Sequence, residues 1–318
     1  PDLKTGWPNW YATQHRHTQN IHPGPSGSMD HKTWMAVENM ISTTSCDSVV
    51  YSASLGGILG ALALREGGLN PLLMNPTGFL GGDITQTLAC IQVKPENDAL
   101  AMLPPELLKL LRDQFDTIES NKMFIDPESW KWVLRVLIKE LQIPALFHVK
   151  PQSILTHGEG IEMAYMDRQG SKTVSVKRVV DCTVRGDLLY RMTGRQSVKE
   201  NNPVGCLNLS CTDIPLETQF PGIHITQLPG RQWIQKTINA PWLDSPGLEF
   251  DAELESISKT IQDAGGQLQM VPMRPLVFPD PTDNHDSVIL NPWSKSIQNS
   301  EDILRTEWEM GVYVSSIL

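Results

Sequence analysis

Asp47-Ser48-Val49-Val50-Tyr51-Ser52-Ala53-Ser54-Leu55-Gly56-Gly57-Ile58 is the stretch that decides how this chain folds. Val49-Val50-Tyr51 reads as a short apolar strand, and Ser52 to Gly57 as a turn of small residues. Ile58 to Glu66 is rich in Ala and Leu and is predicted helical, closed by Gly67-Gly68. Pro71-Leu72-Leu73-Met74 supplies a second strand. Strand, turn, helix and strand together span about 30 residues, the size of a βαβ crossover.

A turn between a strand and a helix N-terminus is where a diphosphate is held, because the helix dipole and the free backbone N–H groups both point at it. In the G-x-G-x-x-G form the first glycine allows the turn and the second lets the backbone approach the phosphates. The third lets helix and strand pack closely, and a carboxylate about 20 residues on takes the ribose hydroxyls. Here the three glycine positions are Ser52, Ser54 and Gly57, with Gly56 beside the last. The ribose position is Asn75, which can bond a hydroxyl but without charge assistance. Ser54 places a Cβ where phosphate would lie. The packing glycine is kept and the ligand-facing ones are replaced. The spacing alone is equally met by a βαβ unit with an ordinary small-residue turn.

Outward from this unit, Pro105 is predicted to open a helix with Leu107, Leu108, Leu111 and Phe115 on one face. Asp126-Pro127 caps the next, striped by Trp130, Val133, Leu134, Leu137, Ile138 and Leu141. A strand follows near Leu146 to Val149. Turns at Gly158-Glu159-Gly160 and Arg168-Gln169-Gly170 separate three short strands, and Val179-Val180-Asp181 is another. Beyond about residue 200 the chain is rich in proline and short β-like runs, with one helix over about Asp251 to Asp263. From about Ser300 it again reads as helical, with Leu304, Trp308, Val312 and Ser315 in line. Residues 1–45 show no steady period. They carry Trp7, Trp10, Trp34 and His15, His17, His22 and His31, and they read as an extension that docks or links rather than packs a core.

The composition narrows the function classes. A net charge of −10 excludes a basic field for nucleic acid. No run approaches the roughly 18 apolar residues of a membrane span, so a soluble chain is expected, although association with a membrane complex stays open. Five scattered cysteines without a C-x-x-C pair do not form a disulfide framework, which points to a reducing compartment, an organelle after leader removal among the options. The four N-terminal histidines match no compact zinc spacing, and no metal is expected. Cys206, Cys211 and Trp130 read as core residues.

The 47–58 stretch resembles the opening of FAD-dependent oxidoreductases. Asn75-Pro76-Thr77-Gly78-Phe79-Leu80-Gly81-Gly82 is similar to the E-P-T-G-x-x-G-G segment of one branch, the xanthan-lyase-related enzymes, whose loop runs beside the flavin. Phe124-Ile125-Asp126-Pro127 resembles the start of the family's helix before the adenine-side strand. Val179-Val180-Asp181-Cys182-Thr183-Val184-Arg185-Gly186-Asp187-Leu188 is similar to V-I-D-A-T-x-E-G-D-L, and Gly194-Arg195-Gln196-Ser197 to the following G-R-E-S. The blocks keep their order over roughly residues 46–200.

This resemblance implies an α/β fold, a Rossmann-like FAD-type nucleotide-binding domain over 46–200 with a β-meander insertion, and a second β-rich domain over 201–318 ending in a helix. It implies FAD contacts at Ser52, Ser54, Gly56, Gly57, Asn75, Gly81, Gly82, Val149, Thr183 and Asp187. Gly186-Asp187 reads as a turn near the cofactor rather than as a catalytic acid. The end, Asp302-Ile303-Leu304-Arg305-Thr306-Glu307, is loosely similar to a family helix, but no counterpart of the family's closing segment, which returns to the nucleotide domain with glycines and a helix N-terminus, is recognised before Leu318. Two functions follow. The first is a degenerate fold without FAD, serving as a structural or assembly subunit that meets protein partners through its aromatic N-terminal extension. The second is an active FAD-dependent oxidoreductase with unusual phosphate contacts, whose substrate and general base the sequence does not name.

Overall fold

The strand β1 (Ser48–Tyr51) is buried at every residue, and the rest of the first layer is built around it. A strand covered on both faces reads as a continuous apolar run. The computed structural model describes residues 46–89, 91–93, 116–119, 122–158, 160–183, 186–193, 204–215, 217–228, 230–239, 247–274, 276–278 and 289–290, with Glu307 and Val314. β1 pairs in parallel with β2 (Pro71–Met74) on one side and with β10 (Arg178–Asp181) on the other. β6 (Ala145–Leu146) extends the sheet beyond β2, and β16 (Ile289–Leu290) extends it beyond β10. The order is β16-β10-β1-β2-β6. The sheet grows outward in both directions from β1, so the carboxyl end of β1 is a topological switch point, the place where open α/β sheets bind ligands.

Alternation along the strands divides the core in two. Val50, Leu73 and Val180 face α1 (Leu55–Glu66) and α3 (Pro127–Leu141), where Ile58, Leu62, Trp130 and Val133 bury against them. Val49, Tyr51, Leu72 and Met74 face the other way. They pack on Met163, Tyr165 and Val176 of the meander formed by β7 (Lys150–His157), β8 (Gly160–Asp167) and β9 (Gly170–Val176). α4 (Asp187–Thr193) joins this layer through Leu188 and Leu189. α3 starts where expected: the Asp126 carboxylate accepts from the Glu128 N–H at 3.1 Å, with Pro127 in the first turn. Its predicted stripe is buried, with Ile138 at the edge.

The second layer is antiparallel. β11 (Val204–Thr212) lies between β13 (Arg231–Asn239) and β14 (Gln267–Met270), β12 (Ile223–Leu228) pairs with β13, and β15 (Leu276–Phe278) also pairs with β11. α5 (Leu248–Asp263) covers it with Phe250, Ile257 and Ile261, beginning one turn before the expected Asp251. A separate small sheet holds β3 (Ile91–Val93), β5 (Lys122–Ile125) and β4 (Asp116–Glu119) in that order. α2 (Gly82–Gln86) follows the loop after β2. The two layers are joined by polar contacts: Asn208 Nδ2 donates to the Thr87 carbonyl at 3.1 Å, Arg231 meets Asp126 at 2.9 Å, and the Met273 N–H donates to the Gln86 carbonyl at 2.9 Å. Trp130, Cys206 and Cys211 are core residues, as the sequence suggests.

Two expectations need correction, and several others fall on residues that are not described. The strand expected over Leu146–Val149 ends at Leu146, because His148 takes a left-handed backbone (φ 57) and turns the chain out of the sheet. The chain beyond the second sheet does return to the first: β16 pairs with β10, and Glu307 and Val314 are helical and fully buried. A two-residue strand and a contact across most of the chain carry no glycine signature, which is why no returning segment is recognisable in the sequence. The helix predicted from Pro105, the stripe Leu304, Trp308, Val312 and Ser315 of the helix predicted from about Ser300, the extension 1–45 with its histidines and tryptophans, Cys90, Arg185 and Gly194–Ser197 lie outside the described residues. Among the described residues, no helix is long and apolar enough to cross a membrane.

Gly57 carries the close approach of α1 to the turn. A Cβ added there would fall 1.9 Å from the Ser52 carbonyl oxygen, a backbone atom that cannot rotate away. Gly57→Ala is therefore expected to force helix and strand apart and to lower stability by about 3 kcal/mol, read as a shift of the urea midpoint.

Candidate functional site

The switch point is built from the turn Ser52–Leu55. Ser52 has φ 108, a conformation that favours glycine, and it stands at the first glycine position. Its N–H donates to the Met74 carbonyl at 2.9 Å, so the chain is held in the strained geometry by the neighbouring strand. The backbone keeps the shape of the dinucleotide turn although the residue has changed. Ser54 precedes α1 in an extended conformation, and its Oγ accepts from the Gly57 N–H at 3.3 Å. It is an N-cap. The side chain that replaces the second glycine thus takes one of the first-turn donors for itself.

Asn75 is likewise turned inward. Its Oδ1 accepts from the Ala53 N–H at 3.0 Å, and its Nδ2 donates to the Thr77 carbonyl, Thr77 Oγ1 and the Phe79 carbonyl at 3.1, 2.9 and 2.8 Å. The residue at the ribose position staples the turn to the loop that follows β2. That loop closes over the turn. The Gly81 N–H donates to the Ala53 carbonyl at 2.9 Å, and Gly81 and Gly82 have φ 104 and 55. A Cβ on Gly82 would meet Ser54 Cβ at 2.8 Å and Ser52 Oγ at 3.6 Å. Ser52, Ser54 and Asn75 are consequently 4%, 1% and 1% exposed, and Gly56 and Gly57 are buried.

Glu307 completes the enclosure from the far end of the chain. The Leu55 N–H donates to Glu307 Oε2 at 3.1 Å, across 252 positions of sequence. The carboxyl is fully buried, and Oε1 has no hydrogen-bond partner among the described residues. Burial pushes its pKa up to about 8, against the lowering effect of the Leu55 and Gly56 N–H groups. Cys182 sits beside it, its own thiol raised by burial and by the nearby Asp181 and Glu307 charges. The sequence reading placed Glu307 only at the end of a segment loosely similar to a family helix and gave it no role, since an acid in a helical stretch carries no mark of such a contact.

The remaining predicted residues lie around the same strand ends without converging on the turn. Val149 is buried, and its N–H donates to the Asn75 carbonyl at 3.0 Å. Thr183 and Asp187 serve a cap. Asp181 Oδ1 accepts from the Thr183 N–H and Oγ1 at 3.0 and 2.7 Å, and Oδ2 accepts from the Leu188 and Leu189 N–H groups, each at 2.9 Å. Thr183 Oγ1 accepts from the Asp187 N–H at 2.6 Å. Burial raises Asp181 to about 6, opposed by these donors. Arg274, following β14, pairs with Asp83 of α2 and lies 3.9 Å from Asp187, clasping the second layer to both sides of the switch point. Neither the sequence of Arg274 nor that of Asp83 singled them out.

An FAD diphosphate tests this geometry directly, because it needs the N–H groups at the start of α1. The Ala53, Leu55 and Gly57 N–H groups are bonded to Asn75, Glu307 and Ser54. The cradle between the turn and Gly82 is closed by direct packing. In this arrangement the residues do not fit the diphosphate, which would have to displace Glu307 and part Gly82 from Ser54.

A parallel sheet with a dinucleotide-type turn at its switch point, joined to an antiparallel second layer, is the architecture of two-layer FAD-type flavoproteins. The chain belongs to the FAD dependent oxidoreductase family, whose model matches residues 47–261. Similar solved structures include a flavoprotein/dehydrogenase from Cytophaga hutchinsonii, 12% identical with a TM-score of 0.56, over 85% of this chain and 76% of that one. OxyS anhydrotetracycline hydroxylase from Streptomyces rimosus is 11% identical with a TM-score of 0.60, over 86% of this chain and 63% of that one. Aklavinone-11 hydroxylase, solved as a ternary complex with FAD and aklavinone, is 10% identical with a TM-score of 0.59, over 86% and 62%. At these identities the likeness is one of fold, and the chain spans less than two thirds of the two hydroxylases. No protein of curated function matches the chain in sequence.

Two measurements check this description. Ser52→Gly relieves the positive φ without touching a side-chain contact that the fold needs, and it should raise stability by about 1 kcal/mol, seen as a higher melting temperature. The second is pH dependence. Glu307 has its folded pKa, about 8, above its ordinary value of 4.5, so its contribution is fully present below pH 4.5 and is lost as the pH rises to 8. Asp181, raised to about 6, adds to the fall in stability up to about pH 7; between about pH 7 and 8 Glu307 carries it, and stability should fall by up to about 1.4 kcal/mol per pH unit. Urea unfolding across that range should show the slope in the wild type and a flatter profile in Glu307→Gln.

Proposed function

We propose that this chain is a flavin-free member of the FAD-dependent oxidoreductase family, a structural or assembly subunit built on the oxidoreductase fold. One observation carries the reading: the N–H donors at the start of α1 are bonded to the chain's own Ser54, Asn75 and Glu307. Two of the substituted positions have an internal use: Ser54 caps the helix and Asn75 staples the turn to the next loop. The retained Gly57 keeps the packing of helix on strand. A fold whose cofactor site is closed by its own side chains needs no nucleotide to satisfy its buried polar groups. In this reading the aromatic segment 1–45 meets a protein partner.

A second reading is supported by the family match and by the FAD carried by aklavinone-11 hydroxylase. In it the chain is an FAD-dependent oxidoreductase, and Glu307 leaves the turn when FAD enters. The flavin would supply the redox chemistry, and the protein would bind and orient it.

Absorption spectroscopy of the purified chain separates the two. The expected result is a protein without a visible flavin band and without saturable quenching of added FAD fluorescence. A yellow protein releasing one FAD per chain on denaturation would overturn the structural reading in favour of the enzymatic one.

A further inference from the structure

We propose that Glu307 is a tethered occupant of the oxyanion recess at the start of α1, and that removing its side chain frees the Leu55 and Gly56 N–H groups for a small free oxyanion, such as one end of pyrophosphate, without parting Gly82 from Ser54. The inference deepens the flavin-free reading and rests on it.

The first turn of a helix has N–H groups with no acceptor inside the helix. α1 is 12 residues long, and its first turn is buried, so water does not serve them. Gly57 is satisfied by Ser54 Oγ from within the turn, and Ala53, ahead of the helix, by Asn75 Oδ1. That leaves Leu55 and Gly56, and the group facing both is the Glu307 carboxyl. Two independent observations mark it as a substitute for a larger oxyanion and not as an ordinary cap. A cap is supplied by the residue next to the helix, and that role is already filled by Ser54. Further, Glu307 uses only one of its oxygens: Oε1 is buried with no partner among the described residues. Native structures rarely leave such an atom unbonded.

The placement is fixed by packing. Val314, seven residues on, is fully buried, and a Cβ on Gly60 would lie 3.6 Å from its Cγ2. Val314 therefore sits beside Gly60, one turn into α1, and Glu307 at the helix N-terminus. The helix dipole favours an acidic group there. The carboxyl thus holds the returning segment on the first helix, the role that a bound diphosphate would otherwise share.

The test uses the full chain, first shown to be free of flavin. Hydrogen exchange of the Leu55 and Gly56 amides comes first, because uncapped first-turn amides exchange freely. In the wild type both are expected to be protected without any ligand. Calorimetric titration with inorganic pyrophosphate comes second. The wild type is expected to give no saturable heat. Glu307→Ala is expected to lose the amide protection and to bind one pyrophosphate per chain, at least about tenfold more tightly than the wild type. Glu307→Gln, which keeps an acceptor oxygen at the same place, should behave as the wild type in both measurements. Freely exchanging Leu55 and Gly56 amides in the flavin-free wild type overturn the proposal. So does a folded Glu307→Ala that binds pyrophosphate no better than the wild type. If Glu307→Ala does not fold, the wild-type and Glu307→Gln amides decide: protection in both supports the occupant, and free exchange in the wild type removes it. Flavin in the starting protein would instead count against the flavin-free reading itself.

Discussion

The structure depends on the few backbone N–H groups at the start of α1. They cannot be satisfied by the helix, and the sheet and loops around them exclude water. Something must accept from them. In a flavoprotein that acceptor is a diphosphate, and its absence would leave several buried donors unpaired, each costing on the order of 1–3 kcal/mol. Here Ser54, Asn75 and Glu307 are the acceptors. They come from the turn itself, from the end of β2 and from the far end of the chain. The helix N-terminus is therefore the point at which local and long-range structure meet.

The two layers answer to the same place. Asp181 caps α4 just beyond β10, Thr183 links that cap to Asp187, and Arg274 reaches from the second layer to Asp83 and toward Asp187. Carboxylates on both sides of β1 are thus drawn into caps and an interlayer ion pair. Asp83, Asp181 and Glu307 are buried in fixed contacts. Of these, Asp83 pairs with Arg274 across the two layers.

The fold as a whole was legible because hydrophobic period and turn residues are local. The strand–turn–helix–strand unit, the capped α3, the meander and the buried Trp130, Cys206 and Cys211 each follow from residues within a few positions of one another. Ser52, Ser54, Gly56, Gly57, Asn75, Gly81 and Gly82 do come together around one turn. Their partners were not legible. That Ser54 caps the helix, and that Asn75 faces Ala53 rather than a ribose, depends on rotamers chosen by the neighbouring loop. Glu307 was invisible for a stronger reason: its contact spans 252 residues, and nothing local distinguishes it from a solvated acid.

The sequence by itself determined the nucleotide-type unit, its family and the selective loss of the phosphate-side glycines, because each of these is written in adjacent residues. Only the tertiary structure decided what those losses did. Ser52 keeps the left-handed backbone of the glycine it replaces. Gly82 seats on Ser54, and a carboxyl from the returning segment fills the recess at Leu55. A hydrogen-bond donor does not specify its acceptor, and which oxygen reaches it is settled by how distant elements pack.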